Sequence, residues 1–495
     1  VTDTPMKGDY PISAVASNEW KSFAMYTVES RAIPNMIDGL KPVQRFYLYS
    51  SILNSKKDFK KVSAVSGIIS DYGYNHGEAS AAGAGQLMAA EWNNNICLVE
   101  GRGSFGTRLV QEAGAARYVY TRLHENFNKY IQDLDLSPQH EDPEHEPPAF
   151  YLPVIPLVLA NGAKGIATGF ATNILPRDPK ALVKACTEYV KTQKIKKRIP
   201  VKFPDFNGFV EFDQETQKHT VLGRFVKKSK TVMMINEVPY GFDRESYVKI
   251  LDKLEEDGDI VSYEDLCDKK GFQFEVKLKQ NTSANWTDAQ IISKFKLSKP
   301  FTENLTVIGP NGDLKEYTDE RDLIKDFCDY RLGILQKRID LQLAEERELA
   351  RWLNVKMQFI QAVLDNKIEF KNKKKDDVAQ QIYKNTDALD ATDTERLLRI
   401  NILSLTDEMV KQLEVEIKEC HGRIDYWTGT SPQEQWASDR KCDGWCLRLD
   451  AGCCRAWRGL RLCLRRPGCR DLLVSRPQSL LRASRARPIR SLHRR

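Results

Sequence analysis

Tyr118 follows Arg117 directly. His76, in Tyr74-Asn75-His76-Gly77-Glu78, and Arg108, in Gly101-Arg102-Gly103-Ser104-Phe105-Gly106-Thr107-Arg108-Leu109, lie within about fifty residues upstream. A phenol, with a pKa of about 10, becomes a useful nucleophile at neutral pH only where cationic or donor groups stabilise the phenolate and the group it attacks. Arg117 brings such a charge in the adjacent position, and Arg108 and His76 could converge on it in space. The chemistry these residues permit is covalent attack on a phosphodiester, whose oxygens are natural partners for guanidinium groups.

Spacing alone supports a plainer reading. Ala116, Tyr118 and Tyr120 alternate with Arg117, Val119 and Thr121 in the two-residue period of a half-buried strand, which predicts a packed tyrosine. His76 or Arg31 taken singly reads as an ordinary polar residue of core or surface. The order of several motifs outweighs this. Asp38-Gly39-Leu40-Lys41-Pro42-Val43-Gln44-Arg45 precedes the tyrosine, and Pro147-Pro148-Ala149-Phe150-Tyr151-Leu152-Pro153 and Asn161-Gly162-Ala163-Lys164-Gly165-Ile166-Ala167-Thr168-Gly169-Phe170-Ala171-Thr172-Asn173-Ile174 follow it. In this order they resemble the breakage-reunion, gyrase A-like subunit of type IIA DNA topoisomerases, and within that family its T-even bacteriophage branch, from about Ser17 to about Trp436.

The resemblance implies roles for particular residues. Tyr118 matches the nucleophile that leaves a 5′-phosphotyrosyl link and a free 3′-hydroxyl, and Arg117 matches the arginine that neutralises the pentacovalent phosphate. Arg31 and His76 match positions that support cleavage or hold the scissile phosphate. Lys41 and Arg45 match basic residues of a DNA-facing surface, where charge carries affinity but little sequence information, and Arg108 is assigned to DNA binding with them. Ile166 matches an isoleucine wedge that opens a base step, although Gly165-Ile166-Ala167 in an apolar stretch also reads as core. A wedge would select DNA by deformability more than by base readout. Position 75 is Asn where many relatives carry His, and Arg102 replaces a more usual polar residue.

To position these residues the resemblance implies a multidomain α+β chain. It comprises an N-terminal arm (1–17), a winged-helix breakage-reunion domain (18–176), an α+β tower domain (177–321), a long antiparallel coiled coil with a dimerisation gate (322–436) and a tail (437–495). The residues support these divisions locally. Val232 to Tyr240, ending by Pro239, and Phe272 to Leu278 read as strands, and Glu245 to Glu256 as an amphipathic helix. Asp322 to Asp365 reads as a Pro- and Gly-poor helix broken only by Gly333, with Leu332, Leu335, Ile339, Leu343 and Leu349 at helical spacing. A second helix, Asp407 to Trp427, could pair with it through Met409, Leu413, Ile417 and Ile424, and a compact helical domain is the alternative. Lys371 to Lys375 reads as a solvated basic turn.

At 495 residues the chain exceeds a single core. It has neither an apolar run of about 18 residues nor a signal-peptide layout, which predicts a soluble cytoplasmic protein with no membrane contact, in the bacterial host cytoplasm if phage-encoded. The net charge of +7 comes from one end: residues 441–495 hold 15 Lys plus Arg against 3 Asp plus Glu, leaving 60 against 65 elsewhere. An acidic body can still bind DNA through a local basic surface. The tail's Arg bias and its six cysteines suggest out-of-frame translation without a fold. A zinc site there lacks paired C-x-x-C spacings, and its only histidine, His493, is remote from the cysteines. Cys97, Cys186, Cys267, Cys328 and Cys420 read as reduced thiols.

No Gly-x-x-x-x-Gly-Lys-[Ser/Thr] motif is present, and Glu100-Gly101 and Asp133-Leu134-Asp135 read as surface or turn acids, so no metal ligand is assigned to this chain. The resemblance therefore implies that Mg²⁺ and ATP enter through a separate ATPase and metal-binding large subunit, and that the partners are double-stranded DNA, that large subunit and a second copy in a C2 dimer. About fifty-five tail residues cannot hold the DNA-wrapping domain of bacterial gyrase A, which points to relaxation, decatenation and unknotting over supercoiling. Two rivals stand beside this reading. A tyrosine recombinase or type IB nicking-resealing enzyme would form a 3′-phosphotyrosine, and a DNA-bending protein would be indifferent to loss of the Tyr118 hydroxyl.

Overall fold

The computed structural model describes residues 16–280, 283–370, 373–388, 390–401 and 405–441. The arm before residue 16, the tail after 441 with its weighed zinc site, and the first two residues of the 371–375 run lie outside the described residues.

Helix α1 (Lys21–Thr27) is flanked by π-helical turns at Ala16–Trp20 and Val28–Ala32. Helix α2 (Pro42–Asn54) starts at Pro42, where a missing N–H costs nothing, and Gln44 accepts from Lys41 N at 2.8 Å. Strand β1 (Lys60–Lys61), α3 (Val62–Gly67), α4 (Glu78–Ala89), β2 (Val99–Arg102) and β3 (Tyr120–Leu123) follow, with the strands antiparallel in the order β1-β3-β2. Three packed helices beside a small sheet make the expected winged helix. Helices α5 (Glu125–Tyr130) and α6 (Leu157–Asn161) complete its core, and the hairpin of β4 (Ala163–Ile166) and β5 (Ala171–Ile174) leaves it. Helix α7 (Pro179–Thr192) is capped by Asp178, which accepts from Ala181 N.

The middle of the chain builds a second core. Strands β6 (Phe209–Asp213) and β7 (Lys218–Leu222) belong to one sheet, and β8 (Arg224–Lys227), β9 (Val232–Glu237), β10 (Ile260–Asp265) and β11 (Phe274–Leu278) form another in the order β10-β11-β9-β8. Helices α8 (Arg244–Glu256) and α9 (Asp288–Lys294) belong to this region, and β12 (Ser298–Thr302) pairs with β7 to complete the first of these sheets. Apolar side chains of α8, such as Tyr247 and Leu251, meet Met233, Ile235, Phe274 and Val276. Strands β13 (Leu305–Ile308) and β14 (Leu314–Tyr317) return to the winged helix, where Met36 N donates to Ile308 O at 2.8 Å and Ile308 N to Pro34 O at 2.9 Å. The segment assigned from sequence to one block, 177–321, is thus shared between two cores. Leu182 and Cys186 of α7 and Leu305 and Val307 of β13 join the first.

Helix α10 (Glu320–Leu364) is 45 residues long, roughly 68 Å at 1.5 Å per residue, and continues through Gly333 without a break. Helices α11 (Lys375–Asn385) and α12 (Ala391–Leu398) lie at its far end, and α13 (Asp407–Gly429) returns alongside. The pairing is antiparallel. Arg423 Nε donates to Glu346 at 2.8 Å, while Leu413 and Ile417 meet Leu353, Phe359 and Ile360 further along α10. Leu349 is 41% exposed, and the seam passes instead through Ala350 and Leu353. The mostly exposed residues 341–349 give this pair the character of a stalk instead of a compact core.

Helix α14 (Pro432–Lys441) brings the chain back to the first core, where Trp436 is fully buried and its Nε1 donates to Val154 O at 2.9 Å. At this junction Asp133 pairs with Arg331 at 2.8 Å and with Arg338 at 2.5 Å, and Arg338 also reaches Asp439 at 2.8 Å. Asp133 therefore sits at a turn but is a part-buried ionic hub and not a free surface acid, because the arginines of α10 close over it. Removing one partner of a buried ion network strands the others at a cost of about 3–5 kcal/mol. Asp133→Ala is expected to lower the urea midpoint by a corresponding amount. A midpoint equal to that of the parent protein would show that the hub adds no net stability.

Candidate active site

Tyr118 ends a turn, not a strand. Its N donates to Ala115 O at 2.8 Å, and β3 begins only at Tyr120. The two-residue alternation is present in the opposite phase to a packed tyrosine: Val119, Thr121 and Leu123 are buried, and Tyr118 is 67% exposed. Three contacts fix the turn. Val62 N and Ser63 N at the start of α3 donate to Val119 O and Ala116 O at 3.0 and 3.1 Å, and Gln86 of α4 donates to Gly114 O at 2.6 Å. The Arg117 guanidinium stands 4.7 Å from the Tyr118 ring centroid, so an exposed hydroxyl and an exposed cation share one rigid edge.

Arg31, Lys41 and His76 are brought together elsewhere. They line a cleft of about 950 Å³ together with Lys164 and Lys299, while Arg117 and Tyr118 do not line it. Lys41 Nζ donates to Lys164 O at 2.9 Å, and burial lowers its pKa from the usual lysine value. Burial and then the Lys164 charge lower that of Lys299 in the same way. Among the described residues none of these lysines nor Arg31 has a carboxylate partner, which suits the cleft to an anion. His76 Nε2 lies 2.7 Å from the hydroxyl of Tyr26 on α1. Lys164 stood in a quoted motif without an assigned role. Lys299 and Tyr26 gave no signal in spacing, since only the fold brings Lys299 to the cleft and Tyr26 to His76.

Arg45 and Arg108 depart from expectation. Arg45 is buried and grips Asp38 with Nε and Nη2 at 2.8 and 3.1 Å. Arg108 is buried against Glu237 at 2.8 Å, with its guanidinium about 5.2 Å from the rings of Phe206 and Phe272. Both guanidinium groups are buried in ion pairs, so this structure presents neither to a DNA phosphate. A buried carboxylate demands a partner, and arginine's planar fork satisfies one in two directions.

Ile166 stands 81% exposed at the end of β4. Gly165 makes this possible, because a Cβ there would collide with Ala32 O, and the strand can lie against the turn carrying Arg31 only without one. At the hairpin base Glu303 accepts from Leu175 N at 2.9 Å and Arg177 Nη2 at 2.6 Å. Burial raises its pKa, yet His219 and Arg177 outweigh this and hold it at about 2.

Glu100 is bridged by Arg122 at 2.8 and 3.1 Å, Asp133 is held by two arginines, and among the described residues no group of three or more His, Cys, Asp or Glu converges. No described helix is long and apolar enough to cross a membrane.

A family model for the A subunit of DNA gyrase/topoisomerase IV matches residues 31–441. The chain belongs to this gyrase A-type family. It is 39% identical over 437 residues to the DNA topoisomerase medium subunit of Enterobacteria phage T4, covering 86% of this chain and 97% of that protein. DNA topoisomerase 2 of Plasmodium falciparum (isolate K1 / Thailand) is 27% identical over 471 residues, covering 84% of this chain and 33% of that protein. The crystal structure of the Plasmodium falciparum topoisomerase II DNA-binding, cleavage and re-ligation domain matches with a TM-score of 0.73 at 25% identity, over 86% of this chain and 62% of that one. The chain thus spans nearly all of the phage relative and a third of this eukaryotic one.

For this gyrase A-type protein the two kinds of cation should separate experimentally. Lys41→Ala is expected to weaken DNA binding and reduce the salt slope by about 1 with the melting temperature unchanged. Arg45→Ala is expected to lose about 3–5 kcal/mol of stability by stranding Asp38. Filter binding across a salt series and thermal melts of both variants check this, and an Arg45→Ala protein that melts normally would refute the structural role.

Proposed function

We propose that this chain cleaves and religates duplex DNA as the breakage-reunion subunit of an ATP-dependent type II topoisomerase, with Tyr118 as its nucleophile. One observation carries the reading: the only tyrosine in the matching motif position is solvent-exposed on a turn pinned by α3 and α4, with Arg117 at its ring. The Tyr118 oxygen attacks phosphorus in line, the bond to the 3′ oxygen breaks, and the phenol proton leaves as the 3′ oxygen gains one. Arg117 offsets the charge that builds on the phosphate. The exchange keeps the ester, so the 3′-hydroxyl can reverse the attack and reseal the strand.

Arg31, Lys41, His76, Lys164 and Lys299 hold phosphates of the bound duplex, and Ile166 enters a base step and bends it. A C2 dimer, joined at the far end of the α10–α13 pair, carries two such tyrosines and so cuts both strands. Mg²⁺ and ATP enter through a separate large subunit, a reading supported by the similarity to a phage protein named as a medium subunit, and the assembly relaxes, decatenates and unknots DNA in the bacterial host cytoplasm.

Tyr118→Phe is expected to abolish covalent protein–DNA complexes on denaturing gels while noncovalent binding persists. Retained complexes would move the nucleophile, with the partly exposed Tyr120 next in line, and a 3′ link would revive the recombinase reading. Ile166→Ala is expected to reduce the bend measured by single-molecule FRET more than it reduces initial binding. An unchanged bend angle would remove the wedge.

A further inference from the structure

His76 is held from two sides. Tyr74, itself buried and packed on Phe46 with ring centroids 5.2 Å apart, sets its ring against the imidazole at 5.2 Å and 74°. That contact fixes the plane of the imidazole but not which nitrogen points where, since a half-turn of the ring preserves it. The second contact decides this. The Tyr26 hydroxyl lies 2.7 Å from Nε2, joining α1 to the segment that leads into α4 across fifty residues of chain.

A phenol hydroxyl is more acidic than an imidazole N–H, so the favoured bond has Tyr26 donating and Nε2 accepting. With Nε2 occupied as an acceptor, the ring's own proton resides on Nδ1. We infer that Tyr26 is a positioning residue for His76, selecting the Nδ1–H tautomer so that Nδ1–H is the donor offered to a DNA phosphate in the cleft. The inference rests on the proposed role of His76 in holding that phosphate. With Asn at position 75, no neighbouring histidine in the motif can substitute. Tyr26 is 43% exposed and Tyr26→Phe keeps the ring that lies 6.1 Å from the imidazole, so the replacement tests the hydroxyl.

The test is Tyr26→Phe in the full chain, which removes one oxygen. In ¹⁵N-histidine spectra of the chain without DNA, with His76 assigned through His76→Gln, the His76 signals are expected to shift from the Nδ1–H toward the Nε2–H pattern. In the enzyme reconstituted with its large subunit, cleavage-complex formation is expected to fall about three- to tenfold, with noncovalent DNA affinity changed less than about twofold. Adding Tyr26→Phe to His76→Ala is expected to lower cleavage no further. An unchanged tautomer, an unchanged cleavage level, or additive losses would each overturn the inference. Its failure differs from failure of the cleavage reading itself, which would appear as covalent complexes surviving Tyr118→Phe.

Discussion

The buried pair of Asp38 and Arg45 is the constraint on which the side of the molecule carrying the cleft depends. Asp38 is fully buried and accepts from Arg45, from Leu40 N at 3.0 Å and from Tyr151 N at 3.0 Å, while Arg45 Nη2 also donates to Leu40 O at 2.6 Å. One carboxylate thereby joins the loop before α2, α2 itself and the segment leading to α6. Lys41 starts α2 from this anchored loop, and its direction into the cleft is inherited from the pair. A buried charge without its partner would be far costlier than the bond is favourable, so the arrangement tolerates little movement.

The same device recurs where distant parts of the chain meet. Arg108 with Glu237 fastens the loop upstream of Tyr118 to β9 of the second core, and Arg177 with Glu303 ties the end of β5 to the strand that returns from it. Asp133 and Asp439 with Arg331 and Arg338 lock the base of the stalk. These guanidinium groups are consumed in holding the frame. Among the described residues Arg31, Lys41, Lys164 and Lys299 in the cleft and Arg117 beside Tyr118 are not consumed in this way, and they are placed to meet an anion.

The long helix pair adds reach to this frame, and along α10 the one long stretch without a buried side chain is residues 340–349. Packing is concentrated at the two ends, at the far cluster around Phe359 and Leu413 and at the near junction where Trp436 enters the first core. Between them Glu346 of α10 accepts from both Arg423 and the buried Cys420 of α13, which keeps the two helices side by side.

Much of this was legible in the residues. Periodicity marked α8, α10 and α13 and the strands β9 and β11 within a few residues, because a helix stripe or strand alternation is a local property of the chain. Motif order marked the winged helix. Three matters depended on tertiary structure. The alternation around Tyr118 could not reveal its phase, since a strand with either face inward has the same period, and only the packing of Val119 and Thr121 turned the tyrosine outward. Arg45 and Arg108 were indistinguishable in sequence from Lys41, and became structural only because Asp38 and Glu237 lie buried beside them. Lys299 reached the cleft, and Tyr26 reached His76, from remote segments. The physical reason is common to all three: hydrophobic period and residue type are written along the chain, whereas the partner of a charge or hydroxyl is chosen by which segments the fold brings within hydrogen-bonding distance.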